Sequence, residues 1–301
     1  MFDRLTLDED LIDCRGAVIG RRGLVISPEA IAEAARHASP LPRRRLAETP
    51  LAGDVDVALE DPSHAALFKR NGARPAVERA LLDAALPEAL VEELQALRRD
   101  APRLCRHAFS TAAIAVRMLL AAVGWARALP ELAAAALLHD LGMRHLPRAL
   151  LGHDERLGEQ AAHRIAAHPL MGAYHLAVVL GPHPAVAAAR SHHWRCGQGY
   201  PGLASPPSRA VEVVAVASAF AALTQPRPFR SGAFDARGAA DVLVAEVLTG
   251  HADGNTVKLL VHALRGGDGD PRSLKFGSTR EGHGPAVNRH TPISAPARSL
   301  L

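Results

Sequence analysis

Residues 128–142 have the sequence ALPELAAAALLHDLG, an alanine- and leucine-rich run that ends on an adjacent histidine and aspartate. Pro130 near its beginning is typical of a helix N-terminus, and Ala and Leu are strong helix formers. The run therefore predicts a buried helix that presents His139 and Asp140 at its C-terminal end. Burying an unpaired carboxylate is costly, so Asp140 needs a partner there. A divalent cation suits imidazole and carboxylate together, whereas a solvated helix end is the alternative.

Similar helical segments continue on both sides of this run, from residue 101 to about residue 266. Nearly every connection between them contains Gly or Pro, as helix ends do. The pattern predicts a mainly α protein, built as a helical bundle. Its predicted helical segments are residues 101–124, 128–142, 158–181, 183–193, 209–224, 238–250 and 255–267.

Residues 1–100 differ from the bundle because short β-prone runs alternate with helical patterns. Ser27 followed by Pro28 predicts the N-cap and first position of a helix. Three runs favour strands, the first two as a hairpin around RRG: CRGAVIG at 14–20, GLVIS at 23–27 and GDVDVALED at 53–61. We predict a small α+β N-terminal module with a regulatory or docking role. A structural extension of the helical domain at 101–266 is the alternative.

Composition limits the classes of protein that this chain can belong to. The 301 residues are 48% hydrophobic with a formal net charge of +4, a small excess that gives no case for nucleic-acid binding. An odd number of cysteines, three, favours a reducing compartment. The N-terminus lacks a signal-peptide pattern and no long uncharged apolar run predicts a membrane span, so we expect a cytoplasmic protein. Residues 267–301 lack periodicity and predict a disordered tail.

Histidines are concentrated in the bundle, since ten of the sixteen lie between residues 107 and 193. Several fall near predicted helix ends, where facing helices of a bundle can build a metal site. The alternative is that these side chains are hydrogen-bonded polar groups of the core. The candidate metal ligands are His107, His139, Asp140, His168, His192 and His193.

The order of these motifs resembles the HD-GYP family, a branch of the HD phosphohydrolase superfamily. Five segments over about half of the chain carry the resemblance: RHAFSTAAIAV, LLHDLGMRHLP, AHPLMGAYHL, SHHWRCGQGYPG and ALTQPRPFR. It implies an HD-type helical bundle that binds divalent transition metals, often iron or manganese, and hydrolyses cyclic di-GMP or a related cyclic dinucleotide. Asp140 becomes the candidate catalytic residue, because its two carboxylate oxygens can bridge two ions.

The resemblance also implies a set of substrate-binding residues. Gly199, Tyr200 and Pro201 form the GYP signature loop, and an aromatic ring there can stack on a base or fix the loop by packing. Arg227 and Arg230 in the segment RPFR can contact phosphate or brace the loop.

Several positions depart from the family pattern, and they change the charge of the site. Two aspartates of the family are replaced, as are a lysine, a glutamate and an acidic residue before the first histidine. The replacing residues are Ser218, Ala221, Met143 (with Arg144 beside it), Trp194 and Arg103. One metal set, His107–His139–Asp140, thereby loses its second carboxylate. The other, Asp140 with His168, His192 and His193, is complete, so one or two ions are expected.

Two functions follow from these observations. The first is a metal-dependent phosphodiesterase that acts on a cyclic dinucleotide, with reduced activity. The alternative is an inactive HD-GYP-like protein that binds a nucleotide or a signalling protein partner. In neither case do we expect a membrane or nucleic-acid partner.

Overall fold

The computed structural model describes residues 3–69, 71–151, 158–279 and 284–290. The predicted fold class is confirmed, because helices dominate and the strands are short and confined to the N-terminal third. The strands are β1 (Leu5–Thr6), β2 (Leu11–Ile12), β3 (Val18–Gly20), β4 (Val25–Ile26), β5 (Arg43–Arg45) and β6 (Ala85–Pro87). The helices are α1 (Pro28–His37), α2 (Ala52–Glu60), α3 (Ala73–Leu82), α4 (Glu88–Asp100), α5 (Pro102–Val123), α6 (Leu129–Leu138), α7 (Arg148–Leu151), α8 (Glu159–Ala166), α9 (His168–Leu180), α10 (Pro184–Ser191), α11 (Arg209–Thr224), α12 (Ala236–Leu248) and α13 (Gly254–Leu264).

The long helix α5 lies at the centre of the molecule. It packs against α6, α11 and α13 of the bundle and against α2, α3 and α4 of the N-terminal third. By length and composition alone α5 could cross a membrane, but 78% of its most apolar window is buried inside the protein. The core position therefore accounts for its hydropathy.

The segment predicted as one helix over 158–181 is two helices, α8 and α9, separated at Ala167. Pro169 explains the interruption, because proline has no N–H to donate to the carbonyl of Ile165. The His168 ring takes that place, with Nδ1 2.6 Å from the Ile165 oxygen. The break therefore places His168 at the start of α9, and the hydrogen bond to Ile165 fixes the orientation of its ring.

The predicted hairpin between residues 14–20 and 23–27 is wrong in its pairing. Strand β3 pairs with β2 and strand β4 with β1, in two separate antiparallel ladders. The strands exist, but each uses a partner that precedes both runs. The predicted helix start is confirmed, since Ser27 Oγ accepts the N–H of Ala30 at 3.2 Å and Pro28 begins α1.

The strand predicted over 53–61 is wrong, because these residues form α2. The side chains that are buried, Val55, Ala58 and Leu59, follow helical spacing, whereas Val57 is 56% exposed. The alternating valines gave the two-residue period that is typical of a strand. The segment is nevertheless a helix, because the helical face that carries Val55, Ala58 and Leu59 is buried against α5.

The N-terminal third is packed closely onto the bundle. Helix α1 lies against α9, and Glu93 of α4 is fully buried in an ion pair with Arg144. The other Glu93 oxygen accepts the backbone N–H of Cys14 at 2.6 Å. The boundary near residue 100, where α4 ends and α5 begins two residues later, stays a prediction.

The segment predicted as a disordered tail is described in part. Residues 284–290 run along residues 229–231, where Ser231 N donates to Val287 O at 2.9 Å and Arg289 N donates to Phe229 O at 2.8 Å. For residues 280–283 and 291–301 the prediction lies outside the described residues.

Candidate metal centre

The six predicted ligands meet at one place because helix ends carry them there. His107 lies within α5, while His139 and Asp140 follow α6. His168 begins α9, and His192 and His193 follow α10. Adjacent ring centroids are 5.5 Å apart for His107–His139, 4.8 Å for His139–His192 and 5.3 Å for His168–His192. Two adjoining groups result, His168–His192–His193 and His107–His139–Asp140.

The histidine triad, His168, His192 and His193, is the tighter of the two groups. The Nε2 atom of His168 lies 3.2 Å from that of His192 and 3.3 Å from that of His193. Asp140 Oδ1 lies 3.1 Å from His168 Nε2 and 3.7 Å from His192 Nε2. Three ring nitrogens and a carboxylate oxygen therefore converge on one small volume.

Backbone carbonyls fix the tautomers of three rings at this site. Nδ1 lies 2.7 Å from Ala136 O in His139, 2.6 Å from Ile165 O in His168 and 3.0 Å from Ala189 O in His192. A carbonyl oxygen can only accept, so each Nδ1 carries the proton. In the neutral ring, Nε2 then presents its lone pair to the centre. Metal-binding histidines are held in this way.

These residues fit a divalent metal ion better than they fit one another. Lone pairs on His168 and His192 face each other, and both face the Asp140 carboxylate, an arrangement that only a cation or an extra proton stabilises. The buried Nε2 of His139 has no hydrogen-bond partner among the described residues. Nitrogen and oxygen ligands at right angles around one transition metal lie about 3 Å apart, close to the spacing of the triad and Asp140.

The electrostatics of the site favour the protonation states that metal binding requires. Burial lowers the pKa of His192 to about 3, and burial likewise lowers the pKa of His139 and His193. These rings are therefore neutral near pH 7. Burial opposes ionisation of Asp140, whereas positive charge at His168 and the neighbouring imidazoles, which a bound cation would also supply, lowers its pKa well below the ordinary value.

The other half of the site is built differently, and we call it the arginine side: His107, Ser218, Arg103 and Arg227. His107 Nε2 lies 3.2 Å from Ser218 Oγ, and Arg227 Nη2 lies 3.5 Å from His107 Nδ1. A guanidinium can only donate, so the His107 proton sits on Nε2 and points at the hydroxyl. His107 therefore has the opposite tautomer to His139, His168 and His192.

Glycines set the distance between the elements of the site, and the sequence analysis did not recognise this role. A Cβ on Gly142 would lie 1.9 Å from His168 O, and one on Gly172 would lie 2.8 Å from Gly142 N. The turn after Asp140 and the first turn of α9 thus cross backbone to backbone. The fixed spacing of these glycines in HDLG and HPLMG was the available signal.

The GYP loop contacts the triad through its tyrosine. Tyr200 stacks on His193 with centroids 4.4 Å apart and planes 19° apart, and its peptide bond to Pro201 is cis. A Cβ on Gly199 would lie 1.8 Å from His193 O. Only Tyr200 of the three lines the adjacent cavity, whereas Gly199 lies against the backbone of His193. The assignment of Gly199 and Pro201 to substrate binding stays a prediction.

A cavity of about 510 Å³ opens beside the site, within the range of small-molecule pockets, about 300–1,000 Å³. Arg227 and Arg230 both line it but differ in role. Arg230 donates to the carbonyls of Leu223 and Gln225, each at 3.1 Å, and so braces the loop. Arg227 instead points at the ring of His107.

The position where the resemblance implies a lysine is occupied by a side chain without charge. Met143 lines the cavity, whereas its neighbour Arg144 turns away and pairs with buried Glu93. Arg144 therefore does not supply the missing cation.

Comparison with known proteins finds similarity both by sequence and by structure. The chain is 34% identical over 131 residues to the 3'3'-cGAMP-specific phosphodiesterase 1 of Vibrio cholerae, a match that covers 42% of this chain and 30% of that protein. The chain therefore spans less than a third of the length of that relative. The HD domain of the L. monocytogenes phosphodiesterase PgpH, solved with cyclic-di-AMP, superposes with a TM-score of 0.42 at 15% identity, over 57% of this chain and 93% of that domain. No protein-family model matches the sequence.

Proposed function

We propose that this protein is an HD-GYP-type, metal-dependent phosphodiesterase that hydrolyses a cyclic dinucleotide, cyclic di-GMP or a close relative. The convergence of His168, His192, His193 and Asp140 carries the proposal, because three carbonyl-fixed or neutral imidazoles and one ionised carboxylate form a divalent-metal donor set. Iron or manganese suits these ligands. The three free cysteines favour a cytoplasmic, reducing setting.

In this proposal each residue of the chain has a defined task. A bound divalent ion supplies Lewis acidity and acidifies water for attack on phosphorus. The triad and Asp140 hold the ion, and the carbonyls behind His168 and His192 keep the rings aligned. Tyr200 fixes His193 by stacking and faces the cavity, while Arg227 offers positive charge to a phosphate group.

The second candidate function is binding without turnover, and the arginine side favours it. Ser218 stands where the resemblance implies a carboxylate ligand, and a neutral hydroxyl is a weak ligand for a hard cation. Met143 also leaves the cavity without the expected lysine. In that case the metal serves structure, and the protein binds a nucleotide or a signalling protein.

One experiment separates the two functions. The protein is purified anaerobically, its metal content is measured, and cyclic di-GMP, 3',3'-cGAMP and cyclic-di-AMP are offered with added Mn²⁺ or Fe²⁺. Metal-dependent appearance of linear dinucleotide supports the phosphodiesterase. Bound metal and bound nucleotide without product would support the second function, and absence of bound metal in all preparations would contradict both.

A further inference from the structure

Arg103 occupies a position that would suit a metal ligand. It lies on α5 four residues before His107, so both side chains project from the same face of the helix. Arg103 Nη2 donates to Leu151 O, and its Nε is buried without a hydrogen-bond partner among the described residues. A fixed guanidinium with an unused donor therefore lines the cavity.

Arg103 and Arg227 lie close enough to affect each other's charge, and neither is in ion-pair contact with a carboxylate of the described residues. Burial lowers the pKa of Arg227 to about 10, and the neighbouring charges of Arg103 and Arg230 add to the effect. Even so, Arg227 remains a cation at neutral pH. Neither Arg103 nor Arg227 forms an ion pair with a described carboxylate, and Asp140 acts on Arg227 only from a distance.

The other carboxylates of the cavity are already engaged. Glu246 pairs with Arg195 at 2.7 Å. Glu212 and Asp253 share Arg209, at 2.6 Å and 2.5 Å. Among the described carboxylates of the cavity, Asp140 alone is left to act on the positive charge beside His107, and it also faces the histidine triad.

We infer that Arg103 and Arg227 form an anion clamp that takes the place of a second metal ion and holds a phosphate oxygen of the substrate. Two guanidinium groups beside His107 repel a cation there but attract a phosphodiester, which they can bind with charge-assisted hydrogen bonds. The metal is then confined to the histidine triad with Asp140. The choice of a phosphodiester as ligand rests on the proposed function.

Arg103→Gln and Arg227→Gln test the clamp in the full-length, metal-loaded protein. Isothermal titration calorimetry measures the affinity for inorganic phosphate and for cyclic di-GMP, and elemental analysis measures the metal content. Each variant is expected to bind both ligands about tenfold to a hundredfold more weakly, the effect of losing one charge-assisted hydrogen bond. Wild-type protein is expected to hold one ion per chain, and both variants are expected to keep it.

Two control variants separate the clamp from general charge and from misfolding. Arg195→Gln removes a cation from the same cavity that is already paired with Glu246, and its phosphate affinity is expected to change less than about threefold. Arg227→Lys keeps the charge and is expected to retain more binding than Arg227→Gln. A melting temperature is recorded for every variant.

The outcomes distinguish the clamp from the proposed function. Phosphate that binds both glutamine variants as tightly as wild type would overturn the clamp, as would two ions per chain in the wild type. Phosphate binding that depends on both arginines, in a protein that hydrolyses no cyclic dinucleotide, would keep the clamp and contradict the phosphodiesterase.

Discussion

The histidine triad and the arginine side lie next to each other and both contain buried imidazoles, yet they present opposite charges and opposite tautomers. In the triad, backbone carbonyls hold Nδ1 of His168 and His192, and both Nε2 atoms face the Asp140 carboxylate. On the arginine side, Arg227 faces Nδ1 of His107, and its Nε2 faces a serine hydroxyl. The groups behind each ring therefore decide whether a histidine is prepared to bind a cation.

The difference leads us to expect fewer metal sites than a count of histidines suggests. His107 belongs to a group of ligand-type residues by distance alone. Its surroundings, however, supply positive charge, whereas an ion stays bound only where ligands supply negative charge. We therefore expect one strong metal site.

Removing one histidine from the histidine triad and one from the arginine side is the strongest test of the difference between them. His168→Ala is expected to weaken metal binding about a hundredfold to a thousandfold, since structural zinc draws about 10–16 kcal/mol from four ligands. His107→Ala is expected to change metal affinity less than about tenfold, because Arg227 already competes with a cation at that ring. Anaerobic metal titration measures both.

His37→Ala is the control for this pair, because His37 is an exposed histidine on α1 that pairs with Glu33. It should leave metal affinity unchanged. Equal losses in His107→Ala and His168→Ala would show that both halves bind metal and that the comparison is wrong.

The next largest effect is expected at Gly142, whose backbone lies in close contact with the first turn of α9. Gly142→Ala would push a Cβ against His168 O and separate Asp140 from His168. We expect about 1–3 kcal/mol of lost stability from overpacking and about tenfold to a hundredfold weaker metal binding. Chemical denaturation and metal titration check the two effects.

Gly158→Ala is the matched control for that change, because a Cβ at this position meets nothing within 4 Å. It should alter the free energy of unfolding by less than about 0.5 kcal/mol. If Gly142→Ala is as stable as Gly158→Ala, the backbone crossing does not fix the distance between Asp140 and His168.

Local patterns predicted most helices correctly, because each signal lies within a few residues, and they singled out six residues that the fold brings together. Pro130 before an Ala/Leu run and Ser27 before Pro28 gave correct helix starts. The pairing of the strands was harder to predict, because β3 and β4 pair with segments outside the predicted hairpin. The helix at 53–61 was missed because its form depends on what packs against it. The direction of a side chain was hardest: nothing beside Met143 in the sequence shows that Arg144 turns to Glu93.

Changing the charge of the arginine side should create a second metal site. Ser218→Asp combined with Arg103→Glu replaces one positive charge with two negative ones beside His107. We expect metal content to rise from one ion towards two per chain, with weaker affinity for the new ion. Ser218→Asp alone should give a smaller rise, because Arg103 and Arg227 remain to pair with the new carboxylate. A double variant that still holds one ion would show that charge is not what limits this half.

The smallest expected effect concerns Met143, another residue of the cavity lining. Met143 lines the cavity, and Met143→Lys places an ammonium where the resemblance implies one. A single solvent-accessible cation near a phosphate is worth about 1 kcal/mol, so we expect the affinity for cyclic di-GMP to rise about threefold to tenfold, with metal content unchanged. The gain should shrink at high salt, because exposed charges are screened. Val57→Lys is the comparison variant: it adds the same charge on the exposed face of α2, away from the residues that line the cavity, so it should leave nucleotide affinity as it is. Equal effects of the two substitutions would show that net charge alone, and not position on the cavity wall, governs binding. A gain for Met143→Lys that persists at high salt would instead point to a desolvated contact between the new ammonium group and a phosphate of the ligand.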